Sequence, residues 1–374
     1  MVSFDKRMQP SLTITDCRES LGILEKALCG KRISFDEGVI LISETSLHVL
    51  GRYAHKLRLN KTEPSIVTYI VDRNINYSNV CVTDCDFCAF YRRPGESGAY
   101  VNEYEPVLKQ KIQEAVELGA RQILMQGGHH PYLKFEWYLY LVRSIKRDFP
   151  MVSVHSFSPP EIRHFSKLYR MSVKEVLLAL KEAGLDSLPG GGAEILSERP
   201  RKLISPKKGT PEEWIEIMRC AHEVGLKGTA TMMFGHVETL PERIEHFERI
   251  RQLQDETGGF TAFICWSFQP LNTRLGATLG YRTAGGYDYL RTLATARIYI
   301  DNIKNFQASW VTMGAKIGQL SLFFGANDMG GTMIEENVVS AAGAHYCMSI
   351  EEMEYLIRDA GFIPKRRTTQ YEIL

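Results

Sequence analysis

Three cysteines, Cys81, Cys85 and Cys88, crowd into the stretch YSNVCVTDCDFCAFYRRPG of a 374-residue chain that carries eight cysteines in all. Thiolates at such spacing are ligands for soft metals, and the number available decides which metal group they suit. A structural zinc ion takes four ligands, usually as two paired knuckles. A four-thiolate ferredoxin cluster needs a fourth cysteine at suitable spacing. Neither is supplied here, although His129, His130 or Cys265 could act as a distant fourth ligand. Spacing of four then three is also helical spacing, so the bland alternative is a buried helical stripe of small apolar residues. The preceding NINYSN and the interleaved Asp84 and Asp86 read instead as loop. A 4Fe–4S cluster held by three thiolates leaves one iron open to a small molecule, as catalytic zinc keeps an open position. The other five cysteines, Cys17, Cys29, Cys220, Cys265 and Cys347, are scattered and read mostly as packing residues.

Composition excludes several partners for such a site. Hydrophobic residues make up 44% and charged residues 24% of the chain, which suits a globular protein of one large or two medium domains. A net charge of +1, with acids and bases interspersed, gives no basic stripe for nucleic acid. The start MVSFDKRMQPSLTITDCRES has no apolar run behind a basic region, and no stretch is long enough to span a bilayer. The expectation is a cytoplasmic enzyme with mostly reduced thiols, binding no nucleic acid and not inserted in a membrane.

The elements that must position the thiols follow from periodicity. Residues 17–60 show apolar positions at three- and four-residue spacing, with a Ser34-to-Glu37 capping box, and predict a helical segment over 1–60 packed on the main body. From residue 61 to 374 short apolar runs alternate with amphipathic ones. Strands are expected at 65–72, 122–128, 151–158, 185–190, 228–235, 261–268, 306–311 and 321–328. Helices are expected near 103–119, 135–148, 171–184, 211–225, 240–256, 285–304 and 313–319, with another after 349. Thr210-Pro211-Glu212 opens one helix, and Gly119, Gly184 and Gly225 close three others. This alternation predicts an α/β fold, a (β/α)8 TIM-type barrel with an N-terminal helical segment and a C-terminal extension; an open doubly wound sheet is the rival. In such barrels chemistry sits where strands end, and there fall the cysteines, QGGHHP, HSFSPPEI, PGGGAEI, GHVET, QPLNTRL and GANDMGG.

Cys-x-x-x-Cys-x-Phe-Cys resembles the signature of the radical SAM superfamily. That resemblance implies a 4Fe–4S cluster on Cys81, Cys85 and Cys88, with S-adenosyl-L-methionine (SAM) chelating the open iron through its amino and carboxylate groups. Electron transfer from the reduced cluster then breaks the sulfonium bond and yields a 5′-deoxyadenosyl radical. It also implies that Phe87 lies near the adenine, that Gln126-Gly127-Gly128 meets the methionyl amino group through backbone carbonyls, and that Glu194, in PGGGAEI, accepts from the ribose hydroxyls. Gln126 departs from the commoner Gly-Gly-Glu form.

Further stretches, RNINYSNVCVTDCDFCAFYR, QGGHHP, HSFSPPEI, LPGGGAEIL, GHVETLPERIEHFERIRQLQDETGGFTAFI and WSFQPLNTRLG, resemble the futalosine-pathway enzymes of menaquinone biosynthesis over roughly residues 40–365. DRNINY and CWSFQPLNT resemble the branch that cyclises dehypoxanthine futalosine. Aminofutalosine synthases and deazaflavin (FO) synthase-type enzymes are the alternatives within the class, and a zinc-dependent βα-barrel hydrolase or a non-catalytic cluster module the alternatives outside it. The resemblance implies abstraction of the ribose C4′ hydrogen, spiro closure onto the benzoate ring, and an electron donor of the flavodoxin or ferredoxin type. Such chemistry needs a cation for the benzoate and a base for the ring proton. Arg274 and Arg297 are candidate carboxylate ligands, with Glu238 as a further substrate contact. His155 and His236 are candidate bases, with Glu161 and Glu238 as alternatives. His129-His130 reads as loop packing before metal binding, and Trp266 as packing before stacking on the substrate ring.

Overall fold

The computed structural model describes residues 18–374, so Cys17 lies outside it. Three helices come first: α1 (Arg18–Leu28), α2 (Phe35–Glu44) and α3 (Leu47–Lys61). The capping box that opens α2 is formed as expected: Ser34 Oγ accepts from the Glu37 N–H, and the Glu37 carboxylate accepts from the Ser34 N–H. Each such cap contributes about 1 kcal/mol. Glycine lets this layer close on the barrel body. A Cβ on Gly38 would sit 2.6 Å from the Tyr299 ring, and one on Gly51 would sit 2.5 Å from Phe324.

The body is a curled sheet of ten strands, all paired in parallel. They are β1 (Ile66–Ile70), β2 (Asp72–Ile75), β3 (Gln122–Met125), β4 (Ser153–Ser156), β5 (Ser187–Leu188), β6 (Lys227–Phe234), β7 (Phe260–Ser267), β8 (Asn305–Gln307), β9 (Asp328–Gly331) and β10 (Ile363–Arg366). Their order is β10-β1-β9-β8-β7-β6-β5-β4-β3-β2. Only Val71 separates β1 from β2. The single strand expected at 65–72 is therefore a split stave: β1 pairs with β9 and β10, while β2 pairs with β3. That split brings the two ends of the sheet round to one stretch of chain, so the alternation closes as a barrel wall rather than a doubly wound sheet.

Helices cover the outside at the places the periodicity indicated, among them Phe135–Asp148, Val173–Ala183, Pro211–Glu223, Leu240–Thr257 and Gly286–Tyr299. Two expectations are corrected. The run 321–328 is not a strand: a helix Ala315–Ser321 ends there, Gly325 takes φ +106°, and the stave begins only at Asp328. The stretch SPPEI is not loop but the start of a helix, Pro159–Tyr169, opened by a Ser158-to-Glu161 capping box with proline in its first turn. β10 was not foreseen; it lays the C-terminal tail beside β1 and sends Arg367 inward, where only 3% of it remains exposed. No helix among the described residues is long and apolar enough to cross a membrane.

Candidate active site

The cysteine loop leaves the end of β2 and is closed on itself, not coiled. The Cys81 N–H donates to Arg92 O (2.9 Å) and the Arg92 N–H to Asn79 O (2.8 Å). Asp84 takes φ +54° and the Cys88 N–H turns back to Cys85 O, so the helical-stripe reading fails. The two aspartates between the thiols face outward as clamps. Asp84 pairs with Lys207 and Arg93, and Asp86 with Arg274 at 2.7 Å. Burial pushes the Cys85 thiol up to about 12, with Cys88 and Cys81 adding to the shift and Lys208 opposing it; burial raises Cys88 as well. A bound metal's charge supplies the stabilisation that burial takes from a thiolate. Among the described residues no three His, Cys, Asp or Glu side chains converge enough to hold one metal ion. Ligation of a cluster asks for no such convergence, since each thiolate meets a different iron.

Gln126, Gly127 and Gly128 link this loop to the barrel interior. A Cβ on Gly128 would lie 2.1 Å from Val80 O and 2.9 Å from Cys81 Cβ, and one on Gly127 would lie 2.3 Å from the Tyr77 ring. The Gln126 carbonyl accepts from Asn76 Nδ2 and the Gly128 carbonyl from the His130 N–H; among the described residues none donates to the Gly127 carbonyl. Glu161 holds the turn from below. Its two oxygens accept from Tyr77 Oη (2.6 Å), the Gly127 N–H (3.1 Å) and both the N–H and Oγ of Ser158. That saturation makes it an anchor, not a base. His129 and His130 pack the loop: His129 Nδ1 meets Thr83 Oγ1 at 2.6 Å, and His130 Nδ1 accepts from two backbone N–H groups.

Phe87 and Glu194 meet through Lys208, which sequence reasoning missed. Lys208 Nζ lies 2.5 Å from Glu194 Oε1 and 4.8 Å from the centre of the Phe87 ring. Glu194 and Cys85 hold the ammonium charged against its burial. Lys208 sits in an ordinary loop, SPKKGT, whose spacing carries no signal.

Beneath the turn lies a cavity of about 260 Å³, walled by nearly every stave of the barrel. Gln126, His155 and Trp266 reach it, with Asp72, Arg367 and Tyr371, none of which the sequence singled out. Burial and the Arg367 charge hold the His155 imidazole down at about 3, and its Nδ1 is spent on Ser187 Oγ (2.6 Å). Four expected residues lie elsewhere. His236 is buried against its own loop, with Nδ1 accepting from the Val237 N–H and Nε2 facing Met233 O. Glu238 accepts from the Gly235 and His236 N–H groups and pairs with Arg243 at 2.9 Å. Arg297 gives its donors to Gly325 O, Lys304 O and Asn327 Oδ1. Arg274 clamps the cysteine loop from outside. The three with buried side chains, His236, Glu238 and Arg297, are committed to structure because a buried polar group without a partner costs more than a paired one returns.

Residues 75–250 match the Radical SAM superfamily, and residues 257–374 match the CofH/MqnC C-terminal region. The fold agrees: methylornithine synthase superposes with a TM-score of 0.71 over 92% of this chain and 97% of its own, at 17% identity. A maturase of the [FeFe]-hydrogenase gives 0.72 over 95% and 77%, at 15% identity. The chain belongs to the radical SAM superfamily, and within it to the family that shares the CofH/MqnC C-terminal region. Two of its relatives there are cyclic dehypoxanthine futalosine synthases. That of Halalkalibacterium halodurans is 49% identical over 94% of each chain. That of Streptomyces coelicolor is 45% identical over 94% of this chain and 88% of its own. The aminodeoxyfutalosine synthase of Thermus thermophilus follows at 43%, over 93% and 94%.

Proposed function

We propose that this radical SAM enzyme cyclises dehypoxanthine futalosine in menaquinone biosynthesis, by abstracting the ribose C4′ hydrogen and closing a spiro ring onto the benzoate. The observation that carries the reading is a juxtaposition: the three-thiol loop packs against the Gln126–Gly128 turn, and Gln126 of that turn lines the barrel cavity. The names of its relatives support the choice of substrate. Cys81, Cys85 and Cys88 would hold the 4Fe–4S cluster, and SAM would take the open iron. When bound, that pair supplies a 5′-deoxyadenosyl radical. The rest falls to the chain's own residues. The free Gly127 carbonyl is placed to accept from an amino group, Phe87 offers an aromatic face for the adenine, and Glu194 offers a carboxylate fixed by Lys208 for the ribose. With substrate filling the cavity, its walls would shelter the radical from water-borne side reactions. Residues 18–60 of the expected 1–60 segment serve as a helical layer on the barrel of 61–374, residues 1–17 lying outside the described residues; the reductant is a flavodoxin or ferredoxin, and the enzyme works in the cytoplasm.

Anaerobic reconstitution and a single incubation test this. With dithionite, SAM and dehypoxanthine futalosine, the expected products are free 5′-deoxyadenosine and a compound two hydrogens lighter than the substrate. An adenosyl group retained in the product would mark the aminodeoxyfutalosine type of chemistry instead. A colourless, zinc-loaded protein would remove the radical mechanism altogether.

A further inference from the structure

Ring closure leaves a proton to be removed, and the cavity holds few groups that can take it. Among the described residues its titratable lining groups are Asp72, His155, Glu336, Arg367 and Tyr371. Arg367 is permanently charged and paired with Asp328 through Nε (2.5 Å) and Nη2 (3.0 Å). Tyr371 is raised by burial and receives a hydrogen bond from Gln307. Glu336 spends both oxygens on the N–H groups of Val338, Val339 and Ser340. His155 is too weak a base at about 3. Asp72 differs. Among the described residues its oxygens accept only from the Met333 N–H (3.2 Å) and Gln122 Nε2 (3.0 Å), which leaves lone pairs for a further proton. Burial lifts its carboxyl to about 6; the Met333 and Gln122 donors and the Arg367 charge pull it down, and Asp328 adds to the rise. A carboxylate so placed is ionised at neutral pH yet basic enough to gain a proton.

Resting on the cyclase reading above, we propose that Asp72 is the catalytic base that accepts the ring proton after closure. The C4′ radical bonds to the ring carbon and makes that carbon tetrahedral. Its hydrogen leaves as a proton to an Asp72 oxygen, the C–H electron pair restores the ring, and the one surplus electron would return to the oxidised cluster that Cys81, Cys85 and Cys88 would hold. Substrate and cofactor thus account for every atom and electron, and Asp72 returns its proton to solvent between turnovers.

The test is Asp72→Asn in the reconstituted holoenzyme. Asparagine keeps the shape, and the Gln122 carboxamide can turn its oxygen to the new amide. Hydrogen abstraction precedes the proton step, so 5′-deoxyadenosine should still form in a single turnover, within a few-fold of wild type. Cyclised product should fall about 100-fold or more, and an organic radical should accumulate in the EPR spectrum. In wild type, cyclisation should rise with pH through an apparent pKa near 6, set by the Asp72 carboxyl. Product at the wild-type rate from the variant, or deoxyadenosine and product lost in equal measure, would overturn the assignment. A wild-type pH profile flat through that range would do the same without recourse to the variant. If wild type itself yields no cyclised product, the function proposed above fails, separately from Asp72.

Discussion

Glu161 and Asp72 are both buried carboxylic acids, at 1% and 2% exposure, and burial raises the pKa of each. Their surroundings differ. Glu161 receives four hydrogen bonds, from Tyr77, Gly127 and Ser158, and lies outside the cavity lining. Asp72 receives two and faces the cavity. Burial alone therefore does not mark a working acid. A carboxylate whose lone pairs are filled holds a turn in place, while one left part-filled beside a cavity is free to change protonation state. The same distinction separates the rim, where Glu194, Glu238 and Asp84 are each tied to a cation, from the barrel interior.

Substitutions can break that comparison, and the largest effect belongs to the rim. Cys85→Ala should abolish cluster loading, measured as iron and sulfide content, and take 5′-deoxyadenosine formation below detection. Glu161→Ala comes next. It leaves a tyrosine hydroxyl, a serine hydroxyl and two N–H groups without their acceptor, and should destabilise the protein by about 3 kcal/mol in urea unfolding. Asp72→Asn should move stability the other way. Its folded-state pKa, about 6, lies above the 3.8 of a free aspartate, so the native state binds the extra proton and the wild type loses stability as pH climbs between those values. The variant should therefore be more stable than wild type above pH 6, by about 3 kcal/mol, and the gap should close at pH 3 to 4. A destabilised Asp72→Asn at pH 8 would place Asp72 with Glu161 as scaffold. The smallest effect is expected of Arg274→Ala. Its pair with Asp86 is half exposed, at 52% and 38%, and should be worth under about 1 kcal/mol. The KM for dehypoxanthine futalosine should not change, because Arg274 does not reach the cavity.

The rim was legible in the sequence because its determinants are local. The cysteine spacing and the helix caps at Ser34 and Thr210 are read from residues a few positions apart, and the Gln126–Gly128 turn from its adjacent glycines, although its packing partners Tyr77, Val80 and Glu161 lie far along the chain. The strand–helix alternation was legible for the same reason. What escaped depends on partners distant in the chain. The break at Val71 exists because β1 and β2 pair with different strands, and β10 is a strand only because β1 offers it an edge. Asp72 reads as an unremarked polar residue in VDRN until Gln122, Met333 and Arg367 arrive from three other elements to form its surroundings. Arg297, read as a carboxylate ligand on the helix after the 261–268 strand, shows the converse: the fold buries it completely and gives its donors to Lys304 O, Gly325 O and Asn327 Oδ1.

The account stands most directly on where hydrogen is taken from the substrate. Dehypoxanthine futalosine carrying deuterium at C4′ should give singly deuterated 5′-deoxyadenosine in equal amount to the cyclised product when wild-type holoenzyme turns over once with SAM and dithionite. Deoxyadenosine free of that deuterium, or deuterium retained in a cyclised product, would contradict the proposed chemistry and with it the reading of the cavity beneath the cysteine loop.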